Sequence, residues 1–443
     1  MTTWKIVAAA SAALLIIAGC AFALIWQPTL AAVTPPARQS FQPELIRRGR
    51  DLAAIGNCST CHTVPGANDF AGGLPVPTPF GTIFSTNITP DPDTGIGRWS
   101  EAAFRRAMHQ GVDRDGRHLY PTFPYDHFTG ISDEDDGALY AFLMTREPVH
   151  AAARPNVVSF PFDQRWLIAG WKLLFLHPGT YRPVPGKSVE WNRGAYLVEG
   201  LAHCGACHTP RNALGAERTD AAFAGADVDN WQAYAINTRS PAPVHWDREA
   251  LTAYLRQGWH PDHGSARGPM AEVVSNLSSV PASDVAAIAT YMADVFGMVP
   301  ADQKKPQPVK EVVSTSHDPG AAIYAAACAS CHESTRPLPY GGVDLARSTA
   351  VSASDPRNLA NIVLAGVQPV IGERSPIMPG FSNSMDDGQI AALLTYLRAR
   401  FGRAPAWTKV DEIVKQARQT QAAYLQTSTG SNAQPNAAQR DKP

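Results

Sequence analysis

The chain has 443 residues, 44% of them hydrophobic, and a formal charge of −1 at pH 7. That length allows about three domains, each able to bury its own core. A balanced charge with no cluster of Lys and Arg excludes nucleic acid as a partner, because binding a phosphate backbone needs a concentrated basic patch.

In chain order, the first feature is the uncharged run IVAAASAALLIIAGCAFALIW at residues 6–26, preceded by Lys5. As a helix it would measure roughly 30 Å, enough to cross a bilayer core. A cleaved signal peptide and a lipoprotein-type signal ending at Cys20, where IAGC resembles a lipoprotein cleavage box, are the alternatives. Each of them exports the rest of the chain and leaves Lys5 on the cytoplasmic side. Residues 1–40 are thus an anchor or signal segment with a linker.

A repeat begins next. Six of the seven cysteines form three pairs of identical spacing: CSTCH (Cys58, Cys61, His62), CGACH (Cys204, Cys207, His208) and CASCH (Cys328, Cys331, His332). An apolar helical stretch with a glycine near its start, Gly49, Gly194 or Gly320, precedes each pair. A second helix follows over WSEAAFRRAMHQG, WDREALTAYLRQG and SDPRNLANIVLAG, with equal intervals from Trp99 to Gly111, Trp246 to Gly258 and Ser354 to Gly366. Capping Ser or Asp at the start and Gly at the end punctuate these helices. A last helix closes each repeat, with an aromatic placed at Tyr140, Tyr291 and Tyr396. The glycine on the first helix and the tyrosine on the last predict a close crossing in which the ring fills the space of the missing side chain.

The repeats predict an all-α fold of three tandem domains, over residues 41–147, 188–298 and 316–403. Between the first two, residues 148–187 are rich in aromatics (Phe160, Trp166, Trp171, Phe175) and read as a strap packed along the domains. Residues 299–315 are rich in Pro and Lys, the composition of an extended hinge. Beyond residue 404, Trp407, Val410, Ile413, Val414, Ala417 and Tyr424 fall at helical spacing, the mark of packing or of a membrane-surface contact. From Thr427 to Pro443 the composition reads as disordered.

Cysteines at i and i+3 face the same way, and the His after the second can reach the same flat ligand. In CxxCH the thiols form thioethers with the two vinyl groups of a haem, and the imidazole becomes an axial ligand of its iron. A zinc cluster is disfavoured because every pair carries its own His and recurs once per repeat. Three covalent haems c are therefore expected. Electron-transfer haem takes a sixth ligand, commonly Met, from the loop between the second and last helices. That loop offers Met378 within SPIMPGF in the third repeat and Met270 after Pro269 in the second. The first repeat reads LYPTFPYDHF, with Phe123 in the slot of Met378. His127 in that loop, His118, Met144 on the last helix, or no ligand at all are the alternatives there.

The stretches TPFGTIFSTNITPDPDTGIGRWS and WNRGAYLVEGLAHCGACHTPRN, and the third CASCH with PIMPGF, resemble the triple-haem cytochrome c subunits of bacterial membrane-bound dehydrogenases. The resemblance covers residues 41–403. It implies three cytochrome c domains on one membrane-attached chain, on the periplasmic face of the inner membrane. It also implies a separate catalytic dehydrogenase subunit, a molybdenum hydroxylase, quinoprotein or flavoprotein, as electron donor, and ubiquinone or a terminal oxidase as acceptor. Alcohol-dehydrogenase-type members generally show Met in an LYPxMPY loop. The FPYDHF version is more similar to cytochromes paired with molybdenum hydroxylases that oxidise aldehydes or N-heterocycles. No acid–base constellation is evident, so the chain is expected to have no substrate site of its own. A peroxidase-like enzyme reacting at an open first haem and a free periplasmic electron carrier are the rival functions.

Overall fold

The computed structural model describes residues 25–297, 318–334, 341–368 and 376–430, with positions 4, 11–13, 19, 22 and 336, and side chains as far as residue 422. Cys20, most of the apolar run and the hinge 299–315 lie outside the described residues. Among the described residues no helix is long and apolar enough to cross a membrane. The chain divides into two compact units. One comprises residues 1–184, 199–203 and 211–216, and the other residues 185–198, 204–210 and 217–443.

In the first unit, helix Pro43–Ile55 packs against Asp133–Met144, with Glu101–Gln110 between Ser100, whose hydroxyl accepts from the Ala103 amide, and a left-handed Gly111. In the second unit, Val189–Tyr196 packs on Ala282–Phe296, and Pro319–Ala327 on Asp387–Phe401. Arg248–Gln257 is capped by Asp247 and ends on left-handed Gly258. Arg357–Ala365 ends on Gly366 without a side-chain cap. The predicted helices form where the pattern placed them; Ser100 and Asp247 satisfy amides that would otherwise lack partners, whereas Pro356 stands where a Ser or Asp cap is expected in the third repeat.

The crossing glycines meet backbone, not rings. A Cβ on Gly49 would strike the Ala138 carbonyl oxygen and come within 2.8 Å of the Phe142 Cβ. On Gly194 it would strike the Ala287 carbonyl and meet the Tyr291 Cβ at 2.8 Å, and on Gly320 the Ala392 carbonyl and the Tyr396 Cβ at 2.8 Å. The residue of the first repeat equivalent to Tyr291 and Tyr396 is therefore Phe142, and Tyr140 is corrected to a different position. Tyr140 turns its hydroxyl to the Trp99 carbonyl at 2.8 Å. Gly194→Ala should force the two helices apart at a cost of roughly 1–3 kcal/mol, measured as a lower urea midpoint with an unchanged slope.

Among the described residues three small antiparallel sheets sit in the loops between the helices. Pro75–Thr78 pairs with Gly81–Phe84, which also pairs with Val157–Val158. Ala226–Val228 pairs with Trp231–Ala233 across Asp229 and Asn230, both at positive φ, and Trp259–His260 pairs with Gly264–Ser265. Such two-residue turns favour Asn and Asp, which tolerate the left-handed region.

The strap 148–187 packs in part. Trp171 donates to the Leu214 carbonyl at 3.0 Å and meets Tyr125 edge-on, whereas Phe160, Trp166, Leu173 and Leu174 are exposed. Buried Lys172 donates to the carbonyls of Gln110 and Gly111, each at 2.6 Å, and to His118 Nδ1 at 2.9 Å. Burial lowers its ammonium to about 7 from an ordinary 10.5. Between those values the unfolded chain binds more protons, so this group makes stability rise as pH climbs from about 7 towards 10. Lys172→Met should abolish that rise in urea unfolding and cost about 1–3 kcal/mol through the stranded carbonyls.

The C-terminal helix Val410–Gly430 buries Val410, Val414 and Ala417 in the core of the third repeat, while Arg418 reaches the Asp387 carboxylate at 2.6 Å. The apolar stripe is packing as far as Ala417. The helix also extends past Thr427 to Gly430, where the composition predicts disorder.

Candidate functional site

Each CxxCH occupies one helical turn, and each of its histidines is held in the same way. His62 Nδ1 lies 2.6 Å from the Thr86 carbonyl, His208 Nδ1 2.7 Å from that of Tyr234, and His332 Nδ1 2.8 Å from that of Val343. A ring that donates Nδ1–H to a carbonyl carries its lone pair on Nε2, in a fixed direction, which is how a metal-ligating imidazole is oriented. Burial lowers the pKa of His62 and His208, which keeps both rings neutral and able to ligate. Burial also pushes the Cys58 thiol up to about 12 and the Cys328 thiol up to about 11.

The supporting backbone repeats as well. The Gly72 amide donates to the His62 carbonyl at 2.8 Å and the Gly225 amide to the His208 carbonyl at 2.7 Å. Phe70 donates to the Thr63 hydroxyl and Phe223 to the Thr209 hydroxyl, each at 3.1 Å, and both phenylalanines have positive φ. In the third repeat the Gly342 amide bonds the Cys331 carbonyl at 2.9 Å, and a Cβ on Gly342 would press on the His332 ring.

The third repeat opens a cavity, partly open to solvent, with Cys328, Cys331, His332 and Met378 in its wall. Met378 is fixed by two backbone hydrogen bonds with Val367, of 2.9 and 3.0 Å. Two attachment thiols, one imidazole and one thioether in an apolar wall fit a haem c, with His and Met as its axial donors. Met270 stands half-buried in the first turn of helix Pro269–Ser278, just after Gly268, whose positive φ lets the Trp231 ring lie against its Cα.

In the first repeat, Phe123 packs edge-on against Phe128 at 5.3 Å and Tyr125 at 6.4 Å. His118 has both ring nitrogens engaged, Nε2 on the Ile25 carbonyl at 2.9 Å and Nδ1 on Lys172, which leaves no lone pair for iron. Met144 is buried in its helix. His127 lies in the short helix Tyr125–Phe128, its Nδ1 2.8 Å from the Glu199 carbonyl, beside the ring of His203. That tether matches the one on each CxxCH histidine. The carbonyls of Thr86, Tyr234 and Val343 left no sequence signal, because backbone acceptors carry no residue preference.

The general cytochrome c family model matches residues 46–147, and the model for subunit III of cbb3-type cytochrome c oxidase matches residues 315–397. A nicotinate dehydrogenase subunit of Pseudomonas putida is 47% identical over 392 residues, covering 87% of this chain and 33% of that protein. The chain thus spans about a third of that relative's length. The fructose dehydrogenase cytochrome subunit of Gluconobacter japonicus is 35% identical, over 87% of this chain and 85% of its own. The cytochrome c subunit of the quinone alcohol dehydrogenase of Gluconacetobacter polyoxogenes is 34% identical, over 87% and 86%.

Proposed function

The chain belongs to the cytochrome c subunits of membrane-bound dehydrogenases, and we propose on that premise that it carries three covalent haems c and relays electrons from a catalytic subunit to ubiquinone or a terminal oxidase. The observation that carries this reading is the threefold CxxCH turn with its histidine Nδ1 on a carbonyl. The protein supplies position and potential, and the cofactor supplies the one-electron chemistry. Met270 and Met378 are the sixth ligands of the second and third haems in this proposal, and His127 that of the first. The donor is a dehydrogenase of the molybdenum hydroxylase class acting on an N-heterocycle or aldehyde. The 47% identity to a nicotinate dehydrogenase subunit supports this choice over a quinoprotein or flavoprotein. The site is the periplasmic face of the inner membrane.

The purified chain should oxidise no aldehyde, alcohol, sugar or N-heterocycle, and its haems should be reduced by substrate only after the catalytic subunit is added. Substrate-driven haem reduction by the chain alone would sink the subunit reading.

A further inference from the structure

Arg267 brings the only permanent charge to the described wall of the third-repeat cavity that holds Cys328, Cys331, His332 and Met378. It comes from the second repeat, in the loop after the hairpin Trp259–His260/Gly264–Ser265 and three residues before Met270. Among the described residues no carboxylate or carbonyl accepts from its guanidinium, although burial already disfavours its charge. Arg267 is half-buried, and a partly desolvated guanidinium without an acceptor is matched by an anion placed beside it.

The loop is not there by chance of flexibility, because it is fastened to the third repeat. Asp262, in the same hairpin, forms an ion pair with Arg347, two residues after Leu345 of the cavity wall. Asn358 grips Gln232 through both its amide and its carbonyl, each at 2.8 Å, and Arg357 meets Asp227 at 2.9 Å. Asn358 directly precedes Leu359, another residue of the wall.

Resting on the reading that this cavity takes a haem c, we propose that Arg267 binds a propionate carboxylate of the third haem and raises that haem's reduction potential. After thioether attachment the propionates are the only ionised groups on the ring edge, and a guanidinium fork matches a carboxylate bidentately. A fixed positive charge beside the ring favours the ferrous state, which carries one positive charge fewer on iron. One loop then serves two sites, holding the proposed sixth ligand of the second haem and tuning the third.

The test uses the full chain with Arg267→Gln and Arg267→Lys. Intact mass comes first: a native chain with no haem on Cys328 and Cys331 removes the premise and the proposal together, before any titration. With all haems present, optical redox titration of Arg267→Gln should show one potential falling. At the ambient potential where that haem is half reduced in the native chain, its reduced-to-oxidised ratio should drop at least about tenfold, equivalent to about 59 mV for one electron. Arg267→Lys should give a smaller fall, because the charge stays but the fork is lost. In Met378→His, which lowers the third haem by changing its ligand, adding Arg267→Gln should move that same transition further down. Haem-replete Arg267→Gln with potentials matching the native chain, or a shift confined to another haem, overturns the proposal.

Discussion

Replacing Cys204 and Cys207 together by Ala should remove one haem from the chain and stop electron flow from the donor subunit to quinone. In the proposed reading each cysteine pair serves one haem, so the intact mass should fall by a single haem while the other two sites still stain. The fold should survive. The CGACH turn is one short helix, and the helix pair Val189–Tyr196 with Ala282–Phe296 is closed elsewhere, at Gly194. Flow should fall to the background of the assay, because the second repeat is joined to the third through Asn358, Arg357 and Arg347, as expected for neighbouring stations of one relay. Unimpaired quinone reduction by a chain shown to lack this haem would mean that the second site is not on the route. His208→Met is the milder companion variant. It keeps both thioethers but removes the imidazole that the Tyr234 carbonyl orients at 2.7 Å, so the haem should stay attached with an altered axial spectrum.

The helices and the CxxCH turns were legible in the sequence because their signals are local. The spacing of Cys58, Cys61 and His62 is a property of one turn, and Ser100 and Gly111 mark the ends of one helix. The crossing glycines were legible too, and so were Tyr291 and Tyr396 opposite Gly194 and Gly320, but the partner of Gly49 was not. Placing Tyr140 opposite Gly49 followed residue type, whereas the contact follows backbone geometry, which selects Ala138 and Phe142. The small sheets escaped for a related reason, since pairs of two to four residues are too short to display a period of two. Lys172 and Arg267 were illegible because their roles depend on groups far away in the chain, the carbonyl of Gly111 and the wall around Met378. His118 and His127, nine residues apart in one loop, read alike as sequence. Only their hydrogen-bond partners separate a ring with both nitrogens engaged from one tethered through Nδ1.

His127→Ala should turn one haem from low-spin to high-spin, the change expected when a sixth ligand is lost. Phe123 stands where the third repeat has Met378 and offers iron no lone pair. Its ring instead packs on Phe128 and Tyr125, and so stiffens the short helix that carries His127. The His127 ring is held through Nδ1 on the Glu199 carbonyl at 2.8 Å, the arrangement that each CxxCH histidine uses to direct Nε2. A His/His haem lacks the thioether's preference for ferrous iron, so the first haem should have the lowest potential of the three, suited to a low-potential donor. Phe123→Met, by offering a thioether in the same loop, should raise that potential if it displaces His127. Met144→Ala should leave the spin state alone and cost about 2–5 kcal/mol, because Met144 is a buried helix residue. Low-temperature electron paramagnetic resonance separates the alternatives. An unchanged His127→Ala spectrum with a high-spin Met144→Ala haem makes Met144 the ligand, and a native chain already high-spin at one haem, with a spectral response to peroxide, makes that iron open.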